Sequence, residues 1–483
     1  MVVLAGFLVS LNWSTLYVAV PVIVRHFQAG TLAATFVALT PDCVSTTLVL
    51  VVGRLGDLAG RTPLYVSGLL VLVLTSLFLG LAPTVRWLIA LEVCEGAAIA
   101  LIWGNSAALI RDTQPEERLN RAFGLYSAAT SLGQLLGPTV GGLLAGVVGW
   151  RWVFWINVPV GIACVAWGRR TLRRQGPSTA RHPRAPGDER RRLDLPGGAL
   201  LLVGMLGLVG SLSLAESDGV SLGVVLGAAG SIVVLAVFGL VELRAQNPLI
   251  DLGVLRDRVM SGKLLAGLLG AMALWVPVLV MSLFFQAVQG RSPLVAGLQV
   301  MPLSVFAAGA ATFMGRSGSR LPRRVVALVG ALVGAAGLAF LAFAIAGGVA
   351  EIAAALGVVG AGSGMFSSTY TNMLLATAPR EHLGALNGAR LTIQNLGWMV
   401  STVILLTIVT APLALAVRHE FFAGTVLRLT SPAVAAALLD SSRTAFLVAA
   451  GLGLAASAAL ALSPRLGARG IRRRSRHPAP PLP

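Results

Sequence analysis

The sequence predicts an all-α polytopic membrane protein with fourteen transmembrane helices, and three observations carry that expectation. Hydrophobic residues make up 56% of the 483 and charged residues only 12%, against roughly a quarter charged in soluble domains. Apolar runs of about 20 residues, the length that crosses ~30 Å of hydrocarbon, recur from the first residues to residue 462. Arginine alternates between loops: if both termini share one side, the loops of that side hold 28 of the 36 arginines and the opposite loops hold 7, with Arg390 inside a helix. This positive-inside bias places both termini in the cytoplasm, and the arginine-for-lysine bias with alanine richness points to a high-GC genome and so to a prokaryotic inner (plasma) membrane.

In chain order the predicted spans are 2–24, 31–53, 64–82, 87–110, 122–148 and 153–168, which form an N-terminal six-helix bundle over residues 1–168. A basic cytoplasmic loop (169–195) leads to a central helix pair (196–243, with spans 196–216 and 220–243). A cytoplasmic linker (244–258) then leads to a C-terminal six-helix bundle over 259–462. Its spans are 259–285, 293–314, 325–346, 350–376, 387–412 and 442–462, and a basic cytoplasmic tail (463–483) follows. The first span begins at residue 2 without a basic n-region or a small-residue cleavage pattern, so it reads as a retained helix. Segment 413–441 reads as a connector on the outer side.

The net charge of +18 does not indicate nucleic acid. The arginine-rich blocks lack interleaved aromatics and a fold to present them, so they read as topology signals that also meet anionic lipid headgroups. Cys43, Cys94 and Cys164 all fall inside spans and imply no disulfide or metal framework. Five histidines make no ligand spacing, no phosphate-cradling loop is present, and the loops are too short for a catalytic domain. No cofactor, no metal and no enzymatic activity are expected, and nothing calls for more than a monomer. Lys263, the only lysine, is expected to snorkel to the headgroups from the start of the ninth helix.

Traces of an internal repeat link the two bundles. "AFGLYSAATSLG" (122–133) and "LNGARLTIQNLG" (386–397) each open the fifth helix of a half, with glycines nine residues apart. Such repeats suit carriers whose halves rock about a central site.

Three local matches resemble one family. "GRLGDLAGR" (53–61) resembles the loop signature between the second and third helices of the major facilitator superfamily. Its Gly53 and Gly56 suit a tight turn and close helix approach, Asp57 suits a helix N-terminus or a pair with Arg61, and Gly60 completes the signature. "GQLLGPTVGG" (133–142) is similar to the fifth-helix signature of antiporters in that superfamily, at Gly133, Gly137, Pro138, Gly141 and Gly142. Glycines four apart let helices pack backbone to backbone, and proline bends the helix. "WRWVFWINVPVG", "LDLPGGALLL" and "FQAVQGRSPLVAGLQVMP" look like the fourteen-helix drug:proton antiporter branch.

The resemblance implies the major facilitator fold: two six-helix bundles plus two central helices. It also implies a secondary active exporter that exchanges protons for small lipophilic compounds, neutral or cationic, by alternating access. The loop signature would latch the cytoplasmic side in the outward-facing state. Leu58 and Thr62 replace basic residues usual there, which weakens the latch.

The departures from the family pattern place the candidate site. The first helix of that branch carries an aspartate about nine residues before a proline, where "LNWSTLYVAVP" has Asn12. The fourth helix carries an arginine and then a glutamine before its glycine, where "LEVCEG" has Glu92 and Glu95. At a spacing of three these two acids share one helix face. Asp42, in "TPDCVS", lies about halfway along the second span. Ionising all three in low dielectric is costly, so some are expected to remain protonated near neutral pH. Asp42, Glu92, Glu95 and Asn12 are therefore the candidates for proton coupling and cargo binding. Two opposing considerations apply: Glu92 lies near the outer end of its helix, within reach of a wet vestibule, and Asp42 has nearby hydroxyl donors.

In the C-terminal half, Trp275, Phe284, Phe285, Gln286, Tyr370, Asn372, Arg390 and Gln394 are candidates for a cargo wall. Two further readings stay open: an uncoupled or differently coupled carrier, and a non-transporting receptor or scaffold with the same fold.

Overall fold

The computed structural model describes residues 1–175, 195–218, 221–244, 258–317, 322–375, 383–413, 418, 421–422 and 432–463. The expected basic loop beyond residue 175, the linker 245–257 and the tail from residue 464 lie outside the described residues, as do the side chains of Asp57, Arg54 and Leu58.

The described chain is almost wholly helical. The N-terminal bundle consists of α1 (Val2–Phe27), α2 (Thr31–Ala59), α3 (Arg61–Gly80), α4 (Val85–Thr113), α5 (Glu116–Leu143), α6 (Arg151–Trp155) and α7 (Asn157–Gln175). The central pair is α8 (Leu195–Asp218) and α9 (Leu222–Arg244). The C-terminal bundle consists of α10 (Arg258–Leu274), α11 (Pro277–Ala287), α12 (Pro293–Ser317), α13 (Arg323–Ala344), α14 (Val349–Leu375), α15 (Leu383–Thr410) and α16 (Pro432–Leu462). Two crossings are broken, α6/α7 and α10/α11. The second break falls at Trp275–Val276, where Pro277 opens α11 and withholds a backbone donor from the preceding turn.

Twelve helices among the described residues are long and apolar enough to cross a membrane. With α4 (29 residues) and α8 (24 residues), both above the ~20 needed, the expected fourteen are reached. Outward-facing side chains are apolar: on α9, Leu222, Val225, Leu226, Ile232 and Val233 are all exposed, as a lipid-contacting surface requires. The pair α8/α9 joins the bundles through α8, which packs on both α2 and α15.

Chain ends and turns fix two levels. Met1 meets Gly168, and Arg324 at the start of α13 donates to the carbonyls of Leu460, Ala461 and Ser463. The end of α16 therefore lies beside the start of α13, at what is here called the terminal end. The turns at 28–30, 81–84, 149–150 and 288–292 lie at the opposite end.

The structure departs from expectation in four places. The turn of "GRLGDLAGR" is made by Gly60 alone, at φ 93°; Gly53 and Gly56 lie inside α2, and Asp57 sits in that helix's last turn, not at an N-terminus. The last helix begins at Pro432, ten residues before the expected start. Ser441 finds a partner inside the bundle, donating to Val409 O at 2.7 Å, and Arg443 lies over the exposed Phe343 ring at 4.2 Å. The supposed connector also contributes Phe421 and Phe422, both buried in the core. Finally, Lys263 is buried rather than at a headgroup, because neighbouring Gly262 brings α10 against Ser463 and Ala459 of α16.

Candidate functional site

Four consecutive residues of α1 meet four different parts of the protein. Asn12 faces the interior of the N-terminal bundle, Trp13 faces α2 and the other bundle, and Ser14 and Thr15 face α5. This divergence follows from the 100° step between helical neighbours. It requires close packing on every side, and the α5 glycines supply it on one.

A Cβ at Gly133 would collide with Phe7 O and approach Leu11 N to 2.9 Å; one at Gly137 would collide with Ser14, and one at Gly141 would lie 2.6 Å from Thr15 O. Ser14 Oγ donates to Gln134 O at 3.0 Å and Thr15 Oγ1 to Gly137 O at 3.3 Å. The first bond has a specific cause: Pro138 lacks an N–H, so the Gln134 carbonyl four residues earlier has no donor in its own helix. Gly142 turns the other way, toward the backbone of Pro293 and Leu294, and Gly297 of α12 meets Pro138 O. The motif therefore joins α5 to α1 by one face and to the C-terminal bundle by the other, near the opposite end.

Asp42 is 6% exposed. Trp13 Nε1 donates to its Oδ1 and Tyr17 Oη to its Oδ2, each at 2.7 Å. Trp13 and Tyr17 also pack on rings of the C-terminal bundle. Trp13 lies 6.2 Å from Trp275 and 5.6 Å from Trp398, and Tyr17 lies 5.4 Å from Trp398. The acid and four aromatic rings thus sit on the seam between the bundles. Asn395 Nδ2 donates to Thr46 Oγ1 at 2.8 Å, and Gln286 Nε2 donates to Val18 O at 3.3 Å, across the same seam.

Glu92 and Glu95 lie deeper within the N-terminal bundle, both at 0% exposure. Glu92 is thus walled off from solvent despite its position near the helix end. Ser76 Oγ donates to Glu95 Oε1 at 3.2 Å. Asn157 Nδ2 donates to Asn12 Oδ1 at 2.6 Å and to Ser76 Oγ at 3.2 Å. Among the described residues, Glu95 Oε2 and both oxygens of Glu92 meet no donor. An ionised carboxylate so placed costs several kcal/mol. Gly96 holds α4 tightly on α2, its Cβ position 2.7 Å from Pro41 O, so the two acid sites are adjacent.

Of the loop-signature residues, Arg61 pairs with Asp112 at the end of α4, at 2.8 Å, and Gly56 leaves space that Asn105 occupies. Of the C-terminal candidates, Trp275 joins the aromatic seam and Gln286 bridges to α1. Phe284 and Phe285 lie in the packed core, with rings 6.2 Å apart. Tyr370 stacks on Phe366 at 5.3 Å. Arg390 donates to Gln394 Oε1 at 2.6 Å and to Thr371 Oγ1 at 3.2 Å, tying α15 to α14. Asn372 is exposed and is no part of the seam. Trp13, Tyr17, Ser76, Asn157 and Trp398 are central to the two sites although the sequence did not single them out. The only available signal was the density of aromatic and amide residues in otherwise apolar helices.

Comparisons with known proteins agree with this architecture. The Major Facilitator Superfamily profile matches residues 2–402. The chain is 28% identical over 414 residues to multidrug resistance protein Stp of Mycobacterium tuberculosis, covering 84% of this chain and 74% of that one. It is 31% identical over 338 residues to the methylenomycin A resistance protein of Streptomyces coelicolor, covering 69% of each. Among solved structures, a bacterial homolog to the human lysosomal transporter Spinster superposes with TM-score 0.62 at 16% identity, over 95% of this chain and 96% of that one. The xylose transporter XylE from E. coli gives TM-score 0.59 at 12% identity, over 96% and 98%. The chain belongs to the Major Facilitator Superfamily.

Proposed function

We propose that this protein is a proton-driven exporter of small lipophilic compounds, working by alternating access in a bacterial plasma membrane with both termini cytoplasmic. The observation that carries the reading is the Glu92/Glu95 pair: two fully buried acids, three of their four oxygens without a donor among the described residues, beside the helix that also reaches the bundle seam. Such a pair takes up and gives off protons as the site is alternately dried and wetted, and the seam next to it is where cargo fits a carrier of this fold. The resistance functions named for the relatives from Mycobacterium and Streptomyces support export of drug-like molecules.

The domain boundaries follow the sequence reading, with bundles at 1–168 and 259–462 flanking the pair at 196–243. Arg61 with Asp112 belongs to the cytoplasmic latch, and the α5 glycines serve as the hinge seat for α1. Asn12 in place of the usual acid raises the alternative of an uncoupled carrier. Its link to Glu95 through Asn157 and Ser76 favours coupling, since a carboxyl still stands within that network, supplied by α4.

The test is uptake of a fluorescent drug into inverted membrane vesicles. A proton ionophore should abolish accumulation, and Glu95→Gln or Glu92→Gln should reduce it at least tenfold. Accumulation that persists undiminished with the gradient collapsed would remove proton coupling from the account.

A further inference from the structure

We propose that the N-terminal bundle carries, at the end opposite the chain termini, a binding site for an anionic phospholipid, seated on Arg86 and Arg151 beside Trp87 and Trp152. The sequence places the same pair there twice, Arg86–Trp87 in the first turn of α4 and Arg151–Trp152 in α6. Trp87 is 59% exposed and Trp152 45%, so both indoles face outward at the rim, the level where tryptophan settles between hydrocarbon and headgroups. In each pair the arginine comes first, one helical step of 1.5 Å closer to the bundle's end. A guanidinium at that level matches a phosphate with two parallel hydrogen bonds.

Packing joins the two pairs into one corner. Trp155 of α6 donates through Nε1 to Leu77 O at 3.3 Å and fills the notch at Gly80, just ahead of the turn that leads to Arg86. Trp152 lies against Trp155 at 5.6 Å. From the other side, His26 and Phe27 at the end of α1 lie 5.4 and 5.3 Å from the Trp150 ring, and Arg151 covers that ring at 4.6 Å. The charge of the corner is one-sided: Arg25, Arg86 and Arg151 stand there, and segments 25–30, 81–87 and 149–155 contain no acid. Arg25 and Arg86 meet no acceptor among the described residues, and neither does the buried Nε1 of Trp150. The C-terminal bundle differs at this end, where Arg418 donates to the carbonyls of Leu413 and Ala411 and Arg443 rests on Phe343. A soluble anion would answer the arginines and leave the indoles idle; a neutral lipid would do the reverse. An anionic phospholipid answers both. Every group named for the site belongs to the N-terminal bundle, so the lipid stays with that half when the bundles rock. Its place in the outer leaflet rests on the orientation proposed above; the binding itself does not.

The experiment is tryptophan quenching in the purified full-length protein in dodecyl maltoside micelles, with Trp103→Phe and Trp167→Phe removing the indoles nearer the terminal end. The probes are phosphatidylglycerol and phosphatidylcholine with dibrominated acyl chains, which quench on contact. Phosphatidylglycerol should reach half-saturation at a mole fraction at least about fivefold below that of phosphatidylcholine, the worth of a single arginine near an anionic surface. Arg86→Gln/Arg151→Gln, checked for monodispersity alongside, should bring the two lipids together. Arg86→Lys/Arg151→Lys keeps the charge and should keep most of the preference. Arg169→Gln/Arg170→Gln makes the same charge change at the terminal end and should leave the preference as it is. Equal half-saturation for the two lipids in the parent, or a preference that survives Arg86→Gln/Arg151→Gln, would overturn the proposal. So would loss of the preference on adding inorganic phosphate at matched ionic strength, which would make the corner a plain anion site. Neither cargo nor a proton gradient enters this measurement, so its failure leaves the ionophore test untouched, and a failed ionophore test leaves the lipid site standing.

Discussion

The bond from Ser14 to the carbonyl orphaned by Pro138 can be measured on its own. Ser14→Ala retains the Cβ that packs on Gly137 and removes only the hydroxyl that donates to Gln134 O at 3.0 Å. Interhelical hydrogen bonds in membrane proteins average ~0.6 kcal/mol and reach ~1.7, and a buried carbonyl left without a donor pushes the loss toward the upper end. The expected cost is therefore about 1–1.7 kcal/mol. Pro138→Ala restores an amide that can serve Gln134 O within the helix. In that background the same Ser14→Ala change should cost under about 0.5 kcal/mol, because the carbonyl already has its donor. The double-mutant cycle should thus show a coupling of about 0.5–1.2 kcal/mol. Unfolding free energies of the four purified proteins, from titration with sodium dodecyl sulfate in mixed micelles, supply the measurement. Additivity within ~0.3 kcal/mol would mean that Ser14 does not answer the proline, and that the α1/α5 contact is held by glycine packing alone.

Other consequences can be checked in parallel. Gly142→Val places a side chain against the backbone of Pro293; it should destabilise by about 1–3 kcal/mol and wedge α5 from α12. Maleimide labelling of a cysteine introduced at Ala38 should then rise several-fold over the native-cysteine background, and unchanged labelling would refute closure at that contact. Tyr17→Phe removes one of two donors to Asp42 and should lower stability by about 1.5–3 kcal/mol at pH 8, the range for a hydrogen bond to a charged group. A loss well under 1 kcal/mol would mean that the hydroxyl holds no charge. Asp112→Asn breaks a half-exposed pair and should cost less than ~1 kcal/mol; a larger loss in the same titration would show the latch to be a structural brace.

Helices were legible in the sequence because lipid leaves the backbone one economical arrangement, and the hydropathy pattern marks where it applies. The α5 motif was legible for the same kind of reason: Gly133, Gly137 and Gly141 repeat at the one spacing that keeps a single helix face bare. Polar residues misled where the bundle supplies their partners. Asp440 and Ser441 read as the end of a connector, yet Ser441 is served by Val409 O, so the helix runs through them. Gly60 was hidden among three glycines in "GRLGDLAGR", since a positive φ leaves no trace in composition. The aromatic seam could not be read at all: Trp13 and Trp398 are 385 positions apart, and nothing local to either says that they meet.

On the proposed proton-driven mechanism, the residues of α1 from Asn12 to Thr15 would carry the effect of a proton on α4 to the seam. Asn12 touches Glu95 through the Asn157–Ser76 network; Trp13 holds Asp42 and rests on Trp398; Ser14 and Thr15 are seated on α5. Adjacent helical residues are separated by a rise of 1.5 Å in a rigid rod, so a shift of Asn12 when Glu95 gains or loses a proton displaces Trp13 with it. Linkage requires that the coupling appear in both directions, and cargo affinity should therefore depend on pH. Asn12→Ala cuts the link and leaves both acids and the aromatic seam in place. Its cargo affinity, measured at two pH values, should show only the dependence that remains in Glu95→Gln, the part contributed by Asp42 itself. Typical couplings of 1–3 kcal/mol correspond to 5–150-fold in affinity, well within a titration's reach. If Asn12→Ala keeps the full pH dependence of the parent while Glu95→Gln loses it, the signal bypasses α1, and the contact of α4 with α2 at Gly96 becomes the route that remains.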